Sequence, residues 1–208
     1  KGSDKVESLY GNLKDVLEMT WPTLFISLVL LVSIRISYLI KNKVKFVFHR
    51  EISLLLFVLY ILCLFQVVTS QDINTLSGDN FTPFVEIFRY KIGSRLFVKN
   101  IVGNVVMFIP YGFFAGKYAS KKNFFLSLFL VLLASISIEC TQLAIGRVFD
   151  VDDIILNVIG GVIGYFIYVI LDKIYSLLPK VFKKDWFLNL LAIILVVVIA
   201  FLVVAIMM

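Results

Sequence analysis

Long apolar runs alternate with short polar connections along most of the chain. A helix needs about 20 apolar residues to cross the hydrocarbon core of a bilayer. Five runs meet this length closely, at residues 23–40, 52–68, 124–143, 154–171 and 187–208. A sixth run, 97–116, contains Lys99, Asn100, Asn104 and Pro110, yet its polar residues fall towards one end and one face. All six are predicted to be helices, because open sheet edges cannot be satisfied in lipid.

The predicted fold is an all-α, polytopic membrane helix bundle with about six transmembrane helices and an N-terminal amphipathic interfacial helix. The amphipathic helix is predicted because Val6, Leu9 and Leu13 recur at helical spacing opposite a charged face. Trp21-Pro22 is expected to turn this helix into the first span. The domains are then an amphipathic helix at 4–22, a first transmembrane hairpin at 23–68, a core with an extracellular loop and three transmembrane helices at 69–172, and a cytoplasmic basic loop with the C-terminal transmembrane helix at 173–208.

Basic residues set the expected orientation. The connections 41–51, 117–123 and 172–186 together hold eleven of the 20 Lys and Arg residues, whereas eight are spread over longer segments on the opposite side. The positive-inside rule places the three basic connections in the cytoplasm. We therefore expect a multi-pass plasma-membrane protein with both termini extracellular.

Composition excludes several classes of protein. Hydrophobic residues make up 61% of the chain and charged residues 16%, against about 45–50% and about 25% in soluble domains. This excludes a water-soluble enzyme, a disordered chain and a disulfide scaffold. No basic stretch is interleaved with aromatic residues, so nucleic acid is not an expected partner, whereas membrane lipids are. The opening Lys1-Gly2-Ser3 lacks a methionine and is expected to be an expression remnant.

Cysteine and histidine exclude further chemistry. Cys63 and Cys140 both lie in apolar runs, which does not favour a disulfide. His49 is the only histidine, so a zinc site with several His or Cys ligands cannot be built. No metal and no cofactor are expected, although the oxygen-rich acidic cluster described below would suit Mg²⁺ or Ca²⁺ if any metal binds.

Polar residues concentrate in the third, fourth and fifth spans. Ser135, Glu139 and Gln142 are spaced i, i+4, i+7 and share one helix face. Asp150, Asp153 and Asn157 form a second stripe, which Gly160 and Gly164 extend, and Asn100 and Asn104 form a third. Because the connection between the fourth and fifth spans is short, these side chains are predicted to converge in a polar pocket just below the outer surface.

Structural explanations compete for most of these residues. Asp150 would serve as a helix cap, and Asp152 and Asp153 would be favourable in the first helical turn. Asn104 and Asn157 would hydrogen-bond between helices, Arg147 would be an ordinary loop charge, and the glycines would allow close packing. Glu139 has the weakest such explanation, because a lone carboxylate inside a span is a functional candidate by default. Arg147 is its nearest cation in sequence.

Three sequence pieces resemble the VanZ-like family of bacterial membrane proteins. The pieces are Asn80-Phe-Thr-Pro83-Phe84, then Asn104-Val-Val-Met-Phe108-Ile-Pro110-Tyr-Gly112, and finally Glu139-x-x-Gln142 followed by Arg147-Val-Phe-Asp150-Val-Asp152-Asp153-x-x-x-Asn157-x-x-Gly160. The last is the most specific, because seven polar positions at fixed spacing in an apolar background rarely coincide. The resemblance covers about residues 50–172. It implies a role in the cell envelope of a Gram-positive bacterium, since the family's namesake is associated with resistance to teicoplanin, a lipid-bearing glycopeptide antibiotic.

Three hypotheses follow for the pocket. In the first, it binds an amphiphile and confers or modulates resistance to teicoplanin-like lipoglycopeptides; the ligand would be the drug or a lipid-linked wall precursor, and the loop 69–96 would cover the site. In the second, the chain is an intramembrane enzyme that processes a lipid-linked envelope precursor or a phospholipid. In the third, the polar cluster only holds helices together. Whether a reaction occurs, and the oligomeric state, stay open.

Ten residues carry the first two hypotheses. The catalytic candidates are Glu139, Asp150 and Asp153, which would supply a general base. The substrate-binding candidates are Arg147, Gln142, Asn104, Asn157, Asn100, Lys99 and Arg89. Among these, Arg147 is suited to bind a phosphate or carboxylate through paired hydrogen bonds.

Overall fold

A computed structural model describes residues 3–69, 79–119 and 123–207, and within them the backbone is helical without a strand. The helices are α1 (Ser3–Lys41), α2 (Phe48–Thr69), α3 (Val85–Arg89), α4 (Gly103–Ala119), α5 (Phe124–Ala144), α6 (Val151–Leu177) and α7 (Asp185–Met207). A π-helical turn, Phe97–Val102, leads into α4, and a 3₁₀ turn, Lys180–Lys183, precedes α7. The all-α prediction is confirmed.

Six helical segments in the described part of the chain are long and apolar enough to cross a membrane. They are Thr20–Lys41, Phe48–Thr69, Phe97–Tyr118, Phe124–Ala144, Val151–Leu177 and Asp185–Ile206. Each overlaps one of the six predicted runs, and the third is the least apolar, as its asparagines and lysine indicated. The chain is therefore a multi-pass membrane protein.

The helix α1 is longer than the first predicted span. It begins at Ser3 and continues through Pro22 to Lys41. The residues 4–22 are thus helical, as predicted, but they form one continuous helix with the first span. Their position at a membrane interface stays a prediction.

The chain divides into two compact units. One unit comprises residues 1–67 and 178–208, and the other comprises residues 68–177. In the first unit, Arg35 of α1 donates to both carboxylate oxygens of Glu51 in α2, at 2.6 and 3.1 Å. This pairing gives the guanidinium a partner inside an apolar helix. The candidate site lies entirely in the second unit.

Glycine allows α4 and α6 to pack backbone against backbone in the second unit. A Cβ atom at Gly160 would collide with the carbonyl oxygen of Val105, and one at Gly164 with that of Ile109. The predicted glycine stripe therefore acts in packing. This close approach brings Asn104, in the first turn of α4, to the beginning of α6.

Candidate functional site

Three helix ends meet at one end of the second unit, where α4 begins, α5 ends and α6 begins. Asn104 Nδ2 donates to Asp153 Oδ1 at 2.5 Å and so joins α4 to α6. The backbone N–H of Asp150 donates to Glu139 Oε2 at 3.1 Å and joins the start of α6 to α5. The polar stripes of the three spans therefore face one another.

A cavity of about 650 Å³ lies between these helix ends. All ten candidate residues line it: Arg89, Lys99, Asn100, Asn104, Glu139, Gln142, Arg147, Asp150, Asp153 and Asn157. Their convergence follows the predicted stripes, whereas their catalytic or binding roles stay predictions. The volume falls in the range of small-molecule sites, about 300–1,000 Å³.

Glu139 is 1% exposed, and its carboxylate is held by hydrogen bonds. Besides the Asp150 N–H, it has Gln142 as a partner. In the amide orientation that satisfies both neighbours, Gln142 Nε2 donates to Glu139 Oε1 at 3.0 Å and Gln142 Oε1 accepts from Arg147 Nη1 at 2.5 Å. Gln142 thus stands between the carboxylate and the guanidinium, and it satisfies a buried group that would otherwise be costly.

Arg147 also binds the end of α2. Its Nη1 donates to the carbonyl oxygen of Val68 at 2.7 Å, in the last turn of that helix. Carbonyl groups in the last turn lack partners within the helix, so a guanidinium there is favourable. Arg147 therefore has an anchoring role within the protein, which the sequence did not reveal.

Asp150 caps α6 and lines the cavity at the same time. Its Oδ1 accepts from the backbone N–H of Asp152 at 2.9 Å, the N-cap contact that the structural explanation predicted. The same oxygen accepts from Asn80 Nδ2 at 2.8 Å. Burial raises the pKa of the Asp150 carboxyl above its ordinary value, and these two hydrogen bonds partly oppose that rise.

Asp152 holds a different helix from the one it belongs to. Its carboxylate is 1% exposed and accepts from the backbone N–H groups of Phe84 (2.5 Å), Glu86 (2.7 Å) and Ile87 (3.2 Å). Phe84 adopts a left-handed conformation with φ of 70°, where the chain turns into α3. Asp152 lies in the first turn of α6, as predicted, but its side chain caps α3, a partner that sequence spacing could not identify.

The segment 79–96 contributes to one wall of the cavity. A backbone bridge fixes Asn80, whose N–H donates to Phe149 O at 2.8 Å and whose carbonyl accepts from Val151 N at 3.0 Å. Glu86, Arg89 and Tyr90 reach the cavity from this segment. The part of the loop 69–96 that the structure describes thus borders the site. Residues 70–78, which include the charged Asp72, lie outside the described residues.

Sequence reasoning missed three of these lining residues. Glu86 accepts from Arg89 Nη1 at 2.8 Å, and Tyr90 lines the same cavity. Burial raises the pKa of the Tyr90 hydroxyl, which keeps it a proton donor. Asn80 belongs to the first piece of the family resemblance, which was the one sequence feature that could have pointed to its place in the site. Glu86 lies in the loop that was expected to cover the site, but nothing in the sequence distinguished it or Tyr90 from other polar loop residues.

A π-helical turn places two further candidates. Lys99 and Asn100 lie in Phe97–Val102, where the N–H of Gly103 bonds to the carbonyl of Val98, five residues back. Such wide turns are rare and occur frequently at functional sites. Both side chains line the cavity, next to Asn104 in the following helical turn.

Asn157 is 3% exposed and lines the cavity from the second turn of α6. Its Nδ2 donates to Ser135 Oγ in α5 at 3.0 Å. Its Oδ1 is buried and has no hydrogen-bond partner in the described part of the chain. Buried polar atoms are nearly always paired, so this oxygen calls for a donor.

Metal-binding geometry is a separate matter. Among the described residues, no three His, Cys, Asp or Glu side chains are grouped so as to hold a metal ion. Cys63 and Cys140 are unpaired thiols, as their positions in apolar runs predicted. The polar side chains that line the cavity include carboxylates, amides and cations, which suit the recognition of a charged or polar group.

Comparison with known proteins identifies one family. The family model described as VanZ/LLP1 matches residues 52–172, more than half of the chain. No curated protein and no solved structure matches the chain. The matched region runs from α2 into α6 and contains all ten candidate residues. This match, found over the same stretch that forms the cavity, shows that the chain belongs to the VanZ/LLP1 family.

Proposed function

We propose that this membrane protein acts in the bacterial cell envelope, where its cavity binds the polar head of an amphiphile and thereby modulates resistance to teicoplanin-like lipoglycopeptides. The observation that carries the proposal is the gathering of the ten candidate residues, from three spans and two connecting segments, around one cavity. Ionisable groups are costly inside a membrane-spanning region and mark ligand sites there.

The mixed charge of the cavity supports a headgroup ligand. Three cations, Arg89, Lys99 and Arg147, line the same space as the carboxylates and amides. Arg89 and Lys99 lie outside or at the edge of the spans, whereas Glu139 and Asn157 lie deeper along α5 and α6. A ligand that entered from the membrane surface would meet the cations of the rim before the deeper groups.

Apolar surface near the cavity supports an amphiphile rather than a wholly polar ligand. The segment 79–96 exposes large apolar side chains, including Phe81 (69%), Phe88 (82%) and Ile92 (85%). Aromatic and aliphatic groups at this level suit the boundary between headgroups and acyl chains. Acyl chains would thus have apolar contacts beside a polar head in the cavity.

The side of the membrane that the cavity faces in this proposal follows from the distribution of charge. The basic connections define the cytoplasmic side, so the ends of α4, α5 and α6 that form the cavity face the outer leaflet. Teicoplanin-like drugs and externally displayed wall precursors are found at that leaflet. Both chain termini would lie on the same side.

Drug tolerance in a sensitive host tests the proposal. Glu139→Gln and Asp150→Asn each remove one charge from the cavity with little change in shape. Asn at position 150 still accepts the Asp152 N–H, so α6 keeps its cap. We expect both variants to reach normal folded yield in the membrane and to lower the minimal inhibitory concentration of teicoplanin towards that of cells without the protein.

Asp185→Asn is the matched control, because Asp185 is an exposed carboxylate at the start of α7, outside the second unit. It should leave both yield and tolerance unchanged. Normal tolerance in the two cavity variants at normal yield would contradict the proposal. Lost yield in both would favour the hypothesis that the cluster only holds helices together.

A second candidate function is an intramembrane enzyme acting on an envelope lipid. One observation favours it: Glu139, Asp150 and Asp153 line the same cavity, and the backbone N–H of Asp150 donates to Glu139. Neighbouring carboxylates that differ in protonation can serve as an acid and a base, and Arg147 would stabilise developing negative charge. Purified protein incubated with envelope lipids would then form a product that Asp150→Asn abolishes. Binding of the lipid without any product would leave the first function standing alone.

A further inference from the structure

The deep part of the cavity offers more hydrogen-bond acceptors than donors. We call Glu139, Asp153 and Asn157 the acceptor floor. Asp153 Oδ1 accepts from Asn104, and Glu139 accepts from Gln142 and the Asp150 N–H. Asn157 Oδ1 accepts from no described group, although the side chain is 3% exposed. Buried polar atoms are nearly always paired, so this oxygen, on a residue that lines the cavity, points to a donor that the ligand supplies.

The charge of the lining favours a cation at this floor. Five carboxylates and three cations line the cavity. Asp152 is occupied by three backbone N–H groups, and Glu86 pairs with Arg89. Arg147 is joined to the floor through Gln142, which accepts from it. The remaining carboxylates, Glu139, Asp150 and Asp153, line the same cavity, so a positive charge placed among them would be favourable.

We infer that the ligand headgroup carries a primary ammonium, which donates to Asp153 and to Asn157 Oδ1, and a phosphate, which lies nearer Lys99 at the cavity rim. This assignment rests on the proposed function and names the chemical class of its ligand, a phospholipid of the phosphoethanolamine type. A primary ammonium has three N–H donors on a compact charge. The acceptor floor therefore matches it, whereas a quaternary ammonium has no donor to give.

Lys99 suits the phosphate end of such a headgroup. It is exposed, lies in the π-helical turn before α4, and lines the cavity with Asn100. Asn104, in the helical turn that follows, links this turn to the floor, since its side chain is hydrogen-bonded to Asp153. A zwitterion lying along the cavity would place its two charges against groups of opposite sign.

A pair of lipids that differ only at the nitrogen tests the inference. Purified full-length protein in phosphatidylglycerol nanodiscs is titrated with phosphatidylethanolamine or with its N-acetyl derivative, and bound lipid is counted by native mass spectrometry. The wild-type protein should bind phosphatidylethanolamine about tenfold more tightly, the effect of one charge-assisted hydrogen bond. Phosphatidylcholine should also bind more weakly than phosphatidylethanolamine, because its quaternary ammonium has no N–H donor.

Asp153→Asn should reduce the preference to about twofold or less, and Asp185→Asn should preserve it. Asparagine at 153 keeps an oxygen for the Asn104 amide, and the lipid comparison on the wild-type protein is decisive even where this variant fails to fold. Equal binding of the two lipids would overturn the ammonium assignment and leave the proposed function intact. Binding of neither lipid, in the presence of folded protein, would contradict both.

Soluble phosphoethanolamine distinguishes a lipid from a free metabolite. We expect it to displace bound phosphatidylethanolamine only at a concentration at least about a hundredfold higher, because it lacks acyl chains that bury apolar area. Displacement at equal concentration would show that the ligand is the free metabolite and not the lipid. The assignment of the ammonium group would still stand.

Discussion

Glu139 illustrates how a single buried charge is accommodated in this protein. The carboxylate is almost fully buried, and its two oxygens accept from a backbone N–H and a side-chain amide. A buried charge without such partners would cost several kcal/mol. The spacing of Ser135, Glu139 and Gln142 predicted the shared face, and the amide of Gln142 is the partner one turn along it.

Asp152 shows a role that residue spacing does not reveal. Its three acceptor bonds fix residues 84–87 against the start of α6. Asp152→Ala should therefore release α3 without unfolding the long helices. We expect amide hydrogen exchange of residues 84–87 to become at least about tenfold faster, because charged hydrogen bonds contribute about 1.5–3 kcal/mol each. Exchange in the middle of α6 should stay unchanged, and unchanged exchange at 84–87 would refute the capping role.

The partly buried carboxyl of Asp150 predicts how the stability of the protein depends on pH. Burial raises its pKa in the folded state above the unfolded value near 3.9. The folded state therefore binds the proton more tightly than the unfolded state does. The contribution of the Asp150 carboxyl to the free energy of unfolding is fully present below the unfolded pKa, and it is lost as pH rises through the folded pKa. Neighbouring Glu86 and Asp152 add negative charge in the same direction.

Asp150→Asn should remove this dependence. Thermal unfolding followed by tryptophan fluorescence in detergent, from about pH 4 to about pH 7, should show a smaller loss of melting temperature with rising pH in Asp150→Asn than in the wild-type protein. Parallel curves for the two proteins would show that the carboxyl does not titrate differently on folding.

At the scale of elements, the contact between α4 and α6 determines the site. Backbone contact is possible because glycine stands where the helices cross, and Asn104 thereby reaches Asp153. The glycine stripe was visible in the sequence. The identity of the helix that packs on it was not, because spans three, four and six are all apolar enough to be the partner.

Gly160→Ala tests this contact. A Cβ atom there collides with the Val105 carbonyl, which is backbone and cannot move aside, so the helices must separate. We expect a loss of about 1–3 kcal/mol in the free energy of unfolding and a lower melting temperature. Gly103→Ala is the matched control, because its Cβ would meet only the Val98 oxygen at an ordinary 3.7 Å.

The control should be neutral or stabilising by up to about 1 kcal/mol, since alanine favours helix over glycine. Equal destabilisation by both substitutions would mean that helix propensity, rather than close packing, explains the glycine at 160. Teicoplanin tolerance should fall with Gly160→Ala even in the fraction that folds, because Asn104 and Asp153 move apart.

For the whole molecule, the six spans and the basic connections lead to an expected topology. Cysteine labelling measures it directly in a background where Cys63 and Cys140 are replaced by alanine. Ile145→Cys, in the exposed connection between α5 and α6, should react with a membrane-impermeant maleimide on intact cells. Lys45→Cys, in the basic connection after α1, should react only after permeabilisation. The reverse pattern would place the cavity on the cytoplasmic side.

Most of the fold was predictable from local information. Each span is a run of apolar residues, and a helix is the backbone form that satisfies its own polar groups in lipid. The continuity of α1 through Pro22 and the π-helical turn before α4 were not predicted. Both depend on backbone geometry at Pro22 and Val98, for which hydropathy carries no signal.

The candidate site was predictable where polar residues stood out against an apolar background. Glu139, Asp153 and Asn157 were evident because each occupies a span. Asn80, Glu86 and Tyr90 were missed because polar residues in a loop are ordinary, and their relevance depends on where the loop folds back. The resemblance covered Asn80 but gave no contact for it.

The sequence by itself determined the membrane-spanning helices, the faces on which polar residues lie, and the family, because these follow from composition and spacing along one chain. The tertiary structure decided which faces meet. Only the tertiary structure shows that Asn80 donates to Asp150 and that the Asp152 carboxylate accepts from backbone N–H groups of α3. It also shows that Gln142 hydrogen-bonds to both Glu139 and Arg147. Contacts between residues far apart in sequence depend on the packing of α4 on α6 and the return of the segment 79–96, and no local pattern encodes either.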